Sequence, residues 1–275
     1  MSDSGSPSLV RRQLGQRLRR LREKAGKTHD DVFEAQIASR TKMWRIESGR
    51  MAIKQGDVLA LCMLYGVDSA VAEDLARMAT ATKVSGYQEE FGESVSPSGS
   101  LYAEMESAAA LVQDFHCQLI PGLLQTAEYT RAVAAANTTL SPRTVEQRVA
   151  FRVQRQRAFF GRPRPGRLHA VMPAGVLGLV VGSTSVMEAQ IAHLRAVNTG
   201  DGVSIRVLSA ANGVYPGMRG SFIIMNFDTP DDPPLVYLES LVGRTYVERT
   251  DHVTEFQRTF DRIRDQAVSL EEYLE

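Results

Sequence analysis

Ser-Arg-Thr-Lys-Met-Trp-Arg-Ile-Glu-Ser-Gly-Arg, residues 39–50, carries the signals of one short helix bounded at both ends. Ser39 has a side-chain oxygen suited to cap a helix N-terminus, and Gly49 can take the left-handed conformation that closes one. Between them Met43 and Ile46 fall on one face, three residues apart, which predicts the inward side of a short helix. Arg40, Thr41, Lys42, Trp44 and Arg45 are left to project outward. A short helix that presents cations, a hydroxyl and an aromatic ring to solvent suits the major groove of DNA, which admits one helix.

Working outward, Leu14, Leu18 and Leu21 recur at i, i+4 and i+7, the apolar stripe of an amphipathic helix. Arg11, Arg12, Arg17, Arg19, Arg20, Arg22 and Lys24 surround that stripe, either as a solvated face or as a basic surface. Gly26 ends the helix. Thr28 caps a second over residues 29–35, with Asp30 and Asp31 in the first turn, where the helix dipole favours anions. Further helices are predicted over 54–65, carrying Val58, Leu59, Leu61, Cys62 and Leu64, and over 69–83, carrying Val71, Leu75 and Met78. Five short helices over residues 9–83, the second and third joined by a tight turn, describe an all-α helix-turn-helix domain.

The segment L-G-x-R-L-R-x-L-R-E-x-A-G-x-T at 14–28, followed by W-R-I-E-S-G-R at 44–50, resembles the XRE (lambda/434 repressor and Cro-like) helix-turn-helix family. The resemblance implies that the helix opening at Ser39 is the recognition helix and places Arg40, Thr41 and Arg45 at base-contacting positions. Lys42 and Trp44 share that outward surface and are further candidate base contacts. Trp44 has two readings, packing on its own core or meeting a thymine methyl. The resemblance assigns His29, Ser48 and Arg50 to the phosphate backbone, and Ser39 joins them as a hydroxyl at a helix N-terminus. It also implies an internal ion pair, Arg22 with Glu47. In general, an arginine bidentate to guanine contributes about 1–3 kcal/mol of discrimination. Two departures from the family pattern concern the turn: the usual glycine is missing at Gln36-Ile37-Ala38, and no proline follows at 51–54.

At 275 residues, with 43% hydrophobic and 23% charged residues, the chain has material for two globular domains. Its zero net charge hides an asymmetry: residues 1–85 carry 15 Lys and Arg against 10 Asp and Glu, and the remainder 17 against 22. A basic domain ahead of a mildly acidic one suits a nucleic-acid reader joined to a regulatory body. No apolar run approaches the ~18–20 residues of a membrane span. No secretory leader is visible at the N-terminus, and a cytoplasmic protein with reduced thiols at Cys62 and Cys117 is expected. The five histidines show no metal-ligand spacing, no phosphate-binding glycine loop is present, and Gly182-Ser183-Thr184-Ser185 reads as a helix cap. Neither an enzyme nor a cofactor is expected.

Residues 84–100 have a Ser- and Gly-rich linker composition, interrupted by Tyr87 and Phe91. Beyond them the pattern predicts an α+β domain over 101–275: a helix over 102–115, one from Pro121, one from Pro142, one over 184–197 and a last over 252–267. Strands are predicted at 168–172, 203–208, 222–227, 235–239 and 245–247, a mixed sheet of about five strands. Arg148, Arg152 and Arg155 form one stripe, either an anchor for an acidic partner or a set satisfied within the domain.

P-G-L-L-Q-T at 121–126, E-Y-T-R-A at 128–132 and R-V-x-x-R-x-x-R-Q at 148–156 resemble the C-terminal domain of actinobacterial WhiJ-like and antitoxin-like transcriptional regulators. E-A-Q-I-A-H-L at 188–194, V-S-I-R-V-L at 203–208 and V-Y-L-E-S at 236–240 agree. An acidic residue common in that family after the first strand is absent at 172–175.

The expected function is therefore a sequence-specific regulator, homodimeric on a double-stranded DNA operator, whose C-terminal domain binds an effector or a small partner protein encoded nearby. The alternatives are an antitoxin-like protein whose main task is to hold a toxin-like partner, and a small-molecule sensor.

Overall fold

A computed structural model describes residues 7–49, 51–81, 97–228, 233–240 and 243–275. It divides into two compact units, Met1–Ala108 and Ala109–Glu275.

In the first unit the expected helices are α1 (Pro7–Lys24), α2 (His29–Glu34), α3 (Arg40–Glu47), α4 (Gln55–Leu64) and α5 (Ser69–Ala81). Their buried apolar faces share one core, in which Leu14 and Leu18 of α1 meet Val32, Met43, Ile46, Val58, Leu61 and Leu75. Part of the expected apolar set lies outside it: Leu59 and Val71 are exposed, as is Met63 one turn after Leu59. Gly15 explains how α1 and α3 come so close, since a Cβ there would lie 2.3 Å from the Ile46 carbonyl oxygen. The Arg-rich surface of α1 is neither uniformly solvated nor uniformly basic. Arg12 is buried, Arg11 pairs with Glu104 at 2.9 Å, Arg22 pairs with Glu47, and Arg19 pairs with Glu23 one turn on.

Glu104 belongs to α6 (Pro97–Ala108), which packs on α1. The expected domain boundary at residue 101 thus lies inside a helix, and the units divide after Ala108. Of the expected linker, residues 84–96, with Tyr87 and Phe91, lie outside the described residues, while 97–100 form the start of α6.

The second unit holds a mixed sheet with seven strands among the described residues, in the order β6-β5-β4-β1-β2-β3-β7. These are β1 (Leu111–Phe115), β2 (Arg167–Pro173), β3 (Val203–Leu208), β4 (Phe222–Asn226), β5 (Leu235–Ser240), β6 (Gly243–Val247) and β7 (Val268–Ser269). β1, β2 and β3 are parallel neighbours, whereas β4, on the other side of β1, is antiparallel to it. The helix expected over 102–115 is therefore two elements. Val112, Gln113, Asp114 and Phe115 are all buried, so both faces of β1 are covered and it shows no alternation of polar and apolar residues. With Ala108, Ala109 and Ala110 ahead of it and no Gly or Pro to interrupt, the run reads as a continuing helix.

Parallel strands need crossovers, and the connections supply helices. Between β1 and β2 lie a 3-10 turn (Gly122–Leu124), α7 (Ala127–Ala135) and α8 (Pro142–Phe160); between β2 and β3 lie α9 (Ala174–Gly178) and α10 (Thr184–Val197). The single helix expected from Pro121 is thus a 3-10 turn and a separate helix, divided at Gln125-Thr126, where Thr126 caps α7. One face of the sheet, with Phe115, Val171, Leu208, Phe222, Ile224 and Val236, packs against Val253, Phe260 and Ile263 of α11 (Thr250–Gln266). A short α12 (Leu270–Leu274) ends the chain.

Candidate nucleic-acid interface

α3 stands on a local frame that its sequence builds. Thr28 caps α2 by accepting from the Asp31 backbone N–H at 3.2 Å, and Asp31 Oδ2 accepts from the Thr28 N–H at 2.6 Å, a reciprocal capping box. The turn after α2 passes through Gln36, whose φ of 58° lies in the left-handed region. Gln36, one of the three residues standing where the resemblance leads to a glycine, thus holds a left-handed conformation that costs a residue with a Cβ about 1–2 kcal/mol. Ser39 then caps α3, accepting from the Lys42 N–H at 3.2 Å.

At its far end α3 is held by charge. Arg22 donates from Nε to Glu47 Oε1 at 2.6 Å and from Nη2 to Oε2 at 2.9 Å, a bidentate pair, and also donates from Nη1 to the Lys27 carbonyl at 2.9 Å. The bond to Glu47 holds the Arg22 guanidinium above its ordinary pKa. His29 Nε2 lies 3.0 Å from Glu47 Oε2. One carboxylate thus ties together α1, the first residue of α2 and the last of α3. His29, which the resemblance assigns to phosphate, is in this structure a third member of that junction and only partly exposed. Nearby burial, together with the Glu47 charge, pushes the Tyr65 phenol well above its usual range.

The outward side of α3 carries Arg40, Thr41, Trp44 and Arg45, all exposed, with Trp44 at 49%. Of the two readings of Trp44, a ring enclosed in its own core does not fit that exposure. Arg40 is not bare: its guanidinium pairs with Asp30 of α2 and lies 4.9 Å from the Phe33 ring centre, holding the Asp30 carboxyl below its ordinary pKa. Lys42 is half-buried and donates to Asp57 of α4 at 2.9 Å, which turns it from the outward surface toward the next helix. Ser48 is half-buried, its hydroxyl donating to the Arg45 carbonyl at 3.3 Å. Arg50 lies outside the described residues. The pairings of Asp30 and Asp57 escape a sequence reading because each joins residues on different helices, 10 and 15 positions apart.

In the second unit the stripe Arg148, Arg152 and Arg155 does not form one exposed surface. α8 runs from solvent inward along it: Arg148 is exposed, Arg152 half-buried and Arg155 8% exposed, its guanidinium 5.7 Å from the Phe151 ring centre. Arg152 lies against the 3-10 turn so closely that a Cβ on Gly122 would sit 1.8 Å from its Nη1. The P-G-L-L-Q-T segment is a backbone cradle. Gln125 Nε2 donates to the Ile120 carbonyl at 2.7 Å, Gln156 Nε2 to the Gln125 carbonyl at 2.7 Å, and Gln190 Nε2 to the Leu124 carbonyl at 2.8 Å, while Gln190 Oε1 accepts from the Thr126 N–H. Among the described residues no group of three or more His, Cys, Asp or Glu is placed to hold a metal ion, and no helix is long and apolar enough to cross a membrane.

Comparison with known families divides the chain in the same way. The family described as "Helix-turn-helix domain" matches residues 13–75, from within α1 into α5. The family described as "Domain of unknown function (DUF5753)" matches residues 100–274, from within α6 to the last turn of the chain. Neither the curated proteins nor the solved structures give a match.

Proposed function

The chain belongs to the DUF5753 family and carries a helix-turn-helix ahead of that domain, and we propose that it is a sequence-specific DNA-binding transcriptional regulator of XRE type. The observation that carries this reading is α3: a short helix held at its end by the Glu47 junction, with Arg40, Thr41, Trp44 and Arg45 all on exposed positions. Fixing the helix before contact lowers the ordering cost of binding. Arg45 and Thr41 are the first readers of base edges. Arg40 joins them by exchanging Asp30 for DNA, which an exposed pair permits because its net contribution in water is small. Backbone contacts fall to Ser39, Ser48 and Arg50 around the two ends of the helix. His29 serves the frame first and a phosphate second.

The protein acts as a homodimer, because a single helix-turn-helix unit buries little surface, and paired units match half-sites one helical turn apart. The C-terminal domain supplies dimerisation and receives an effector or a small partner protein, in the manner of WhiJ-like and antitoxin-like regulators. It works in the cytoplasm and without catalysis. Competition binding separates the roles. Arg45→Ala and Arg40→Ala narrow the gap between a preferred site and random DNA by about tenfold each. Arg50→Ala weakens both alike and lowers the salt slope by about one unit. Equal loss on preferred and random DNA for Arg45→Ala would remove α3 from base reading.

A further inference from the structure

The three cations of α3 stand in different company. Among the described residues no acid pairs with Arg45, and Lys42 is drawn sideways to Asp57 of α4 in a half-buried pair. Arg40 alone combines an exposed position with an exposed acid, Asp30 of α2, the two side chains being 60% and 59% exposed. Whatever Arg40 meets on the outward surface, Asp30 stands next to it.

The geometry of this group is specific. Arg40 Nε donates to Asp30 Oδ1, and the ring of Phe33, three residues after Asp30 on the same side of α2, has its centre 4.9 Å from Arg40 Cζ. Asp31, next in sequence, is not equivalent to Asp30. Its carboxylate accepts from both the N–H and the hydroxyl of Thr28 and is committed to the capping box. The acid that α2 offers to the outward surface beside α3 is therefore Asp30.

When Arg40 turns to a guanine, Asp30 loses its donor. The attraction of the Phe33 ring keeps the guanidinium beside α2, so the two charged heads remain neighbours. A bidentate arginine fills the O6 and N7 edge of its own base pair, which leaves Asp30 the next pair along, a step of ~3.4 Å. A carboxylate can only accept. Guanine and thymine offer it further acceptors, and adenine sets its N7 acceptor beside the N6 amino group, whereas cytosine offers the N4 amino donor alone. Cytosine satisfies Asp30. Any other base leaves a bare charge among acceptors and phosphates, which discriminates by repulsion.

We propose that the Arg40–Asp30 pair opens on the operator to read two neighbouring base pairs, Arg40 donating to a guanine and Asp30 accepting from the N4 amino group of a cytosine. Asp30 is then a specificity-determining residue supplied by α2, outside the recognition helix. This role rests on DNA reading through α3 and adds one base pair to what α3 reads.

The test is selection from a random duplex library by the full chain, run in parallel with Asp30→Ala, Asp30→Asn and Arg40→Ala. Wild type should enrich a guanine with a cytosine at the neighbouring pair in each half-site. Asp30→Ala flattens the cytosine position, a loss of about tenfold in preference, and keeps the guanine. Asp30→Asn moves that position to adenine, whose N6 and N7 an amide meets bidentately. Arg40→Ala flattens the guanine instead. A motif that both Asp30 variants leave unchanged overturns the role of Asp30 and leaves DNA reading in place. So does loss of the guanine in Asp30→Ala, which makes Asp30 a support for Arg40 and not a reader. Failure of wild type to enrich any motif removes DNA reading itself, and this role with it.

Discussion

Removing the Glu47 carboxylate tests how α3 is held. Glu47 accepts from Arg22 at 2.6 and 2.9 Å and lies 3.0 Å from His29, and the Arg22 and Glu47 side chains are only 12% and 5% exposed. Losing one member of a buried pair strands the other, at about 3–5 kcal/mol when burial is complete. Arg22 keeps its bond to the Lys27 carbonyl, and His29 is nearer solvent, so the lower end applies to Glu47→Ala, about 3 kcal/mol. Glu47→Gln keeps the volume and one acceptor, so it costs about 2 kcal/mol. The chain has one tryptophan, Trp44, inside α3, so urea unfolding followed by its fluorescence reports the helix-turn-helix alone. A cycle with Arg22→Ala should return a coupling of about 2–3 kcal/mol. A loss under about 1 kcal/mol for Glu47→Ala, with no coupling to Arg22, would refute the junction as the anchor of α3.

Three further outcomes follow from particular positions. Gln36→Gly relieves a left-handed residue costing about 1–2 kcal/mol and adds about 0.4–1 kcal/mol of unfolded-state entropy, so the Trp44 transition should rise by about 0.5–1 kcal/mol. Gly15→Ala gains about 1 kcal/mol of helix propensity yet places a Cβ 2.3 Å from a carbonyl oxygen of α3, so net destabilisation of about 1–2 kcal/mol is expected, and a stabilised variant would disprove the close approach. His116 has a raised pKa in the folded state, so its contribution is complete below the unfolded value of about 6.5 and is lost as pH rises through the folded value. Far-UV unfolding of wild type against His116→Gln should therefore show the wild-type advantage shrinking above about pH 6.5.

The helices of the first unit were legible because each carries its own punctuation: Thr28 and Ser39 as caps, Gly26, Gly49 and Gly66 with positive φ at the ends, and apolar residues at helical spacing. In the second unit β2 to β6 announced themselves through β-branched runs, and Ser183 proved to be the cap expected of it. β1 did not, because a central strand buried on both faces loses its alternation, and its polar Gln113 meets a partner, Asn226, 113 positions away in sequence. Residue type suggested the surface of α3, but not which cations are already engaged. Lys42 with Asp57 and Arg40 with Asp30 depend on the packing of neighbouring helices. The Arg148, Arg152 and Arg155 stripe misleads for a related reason: helical spacing says which residues share a face, and the fold alone says that this face runs into the interior at Arg155.

Base reading by α3 is tested by selection of bound sequences from a random duplex library by the full chain, repeated with Arg45→Ala. The expected result is one enriched motif with two-fold symmetry and half-sites one helical turn apart, degraded in Arg45→Ala at one base pair of each half. Recovery of no motif, or of the same motif unchanged in Arg45→Ala and Arg40→Ala, would contradict it.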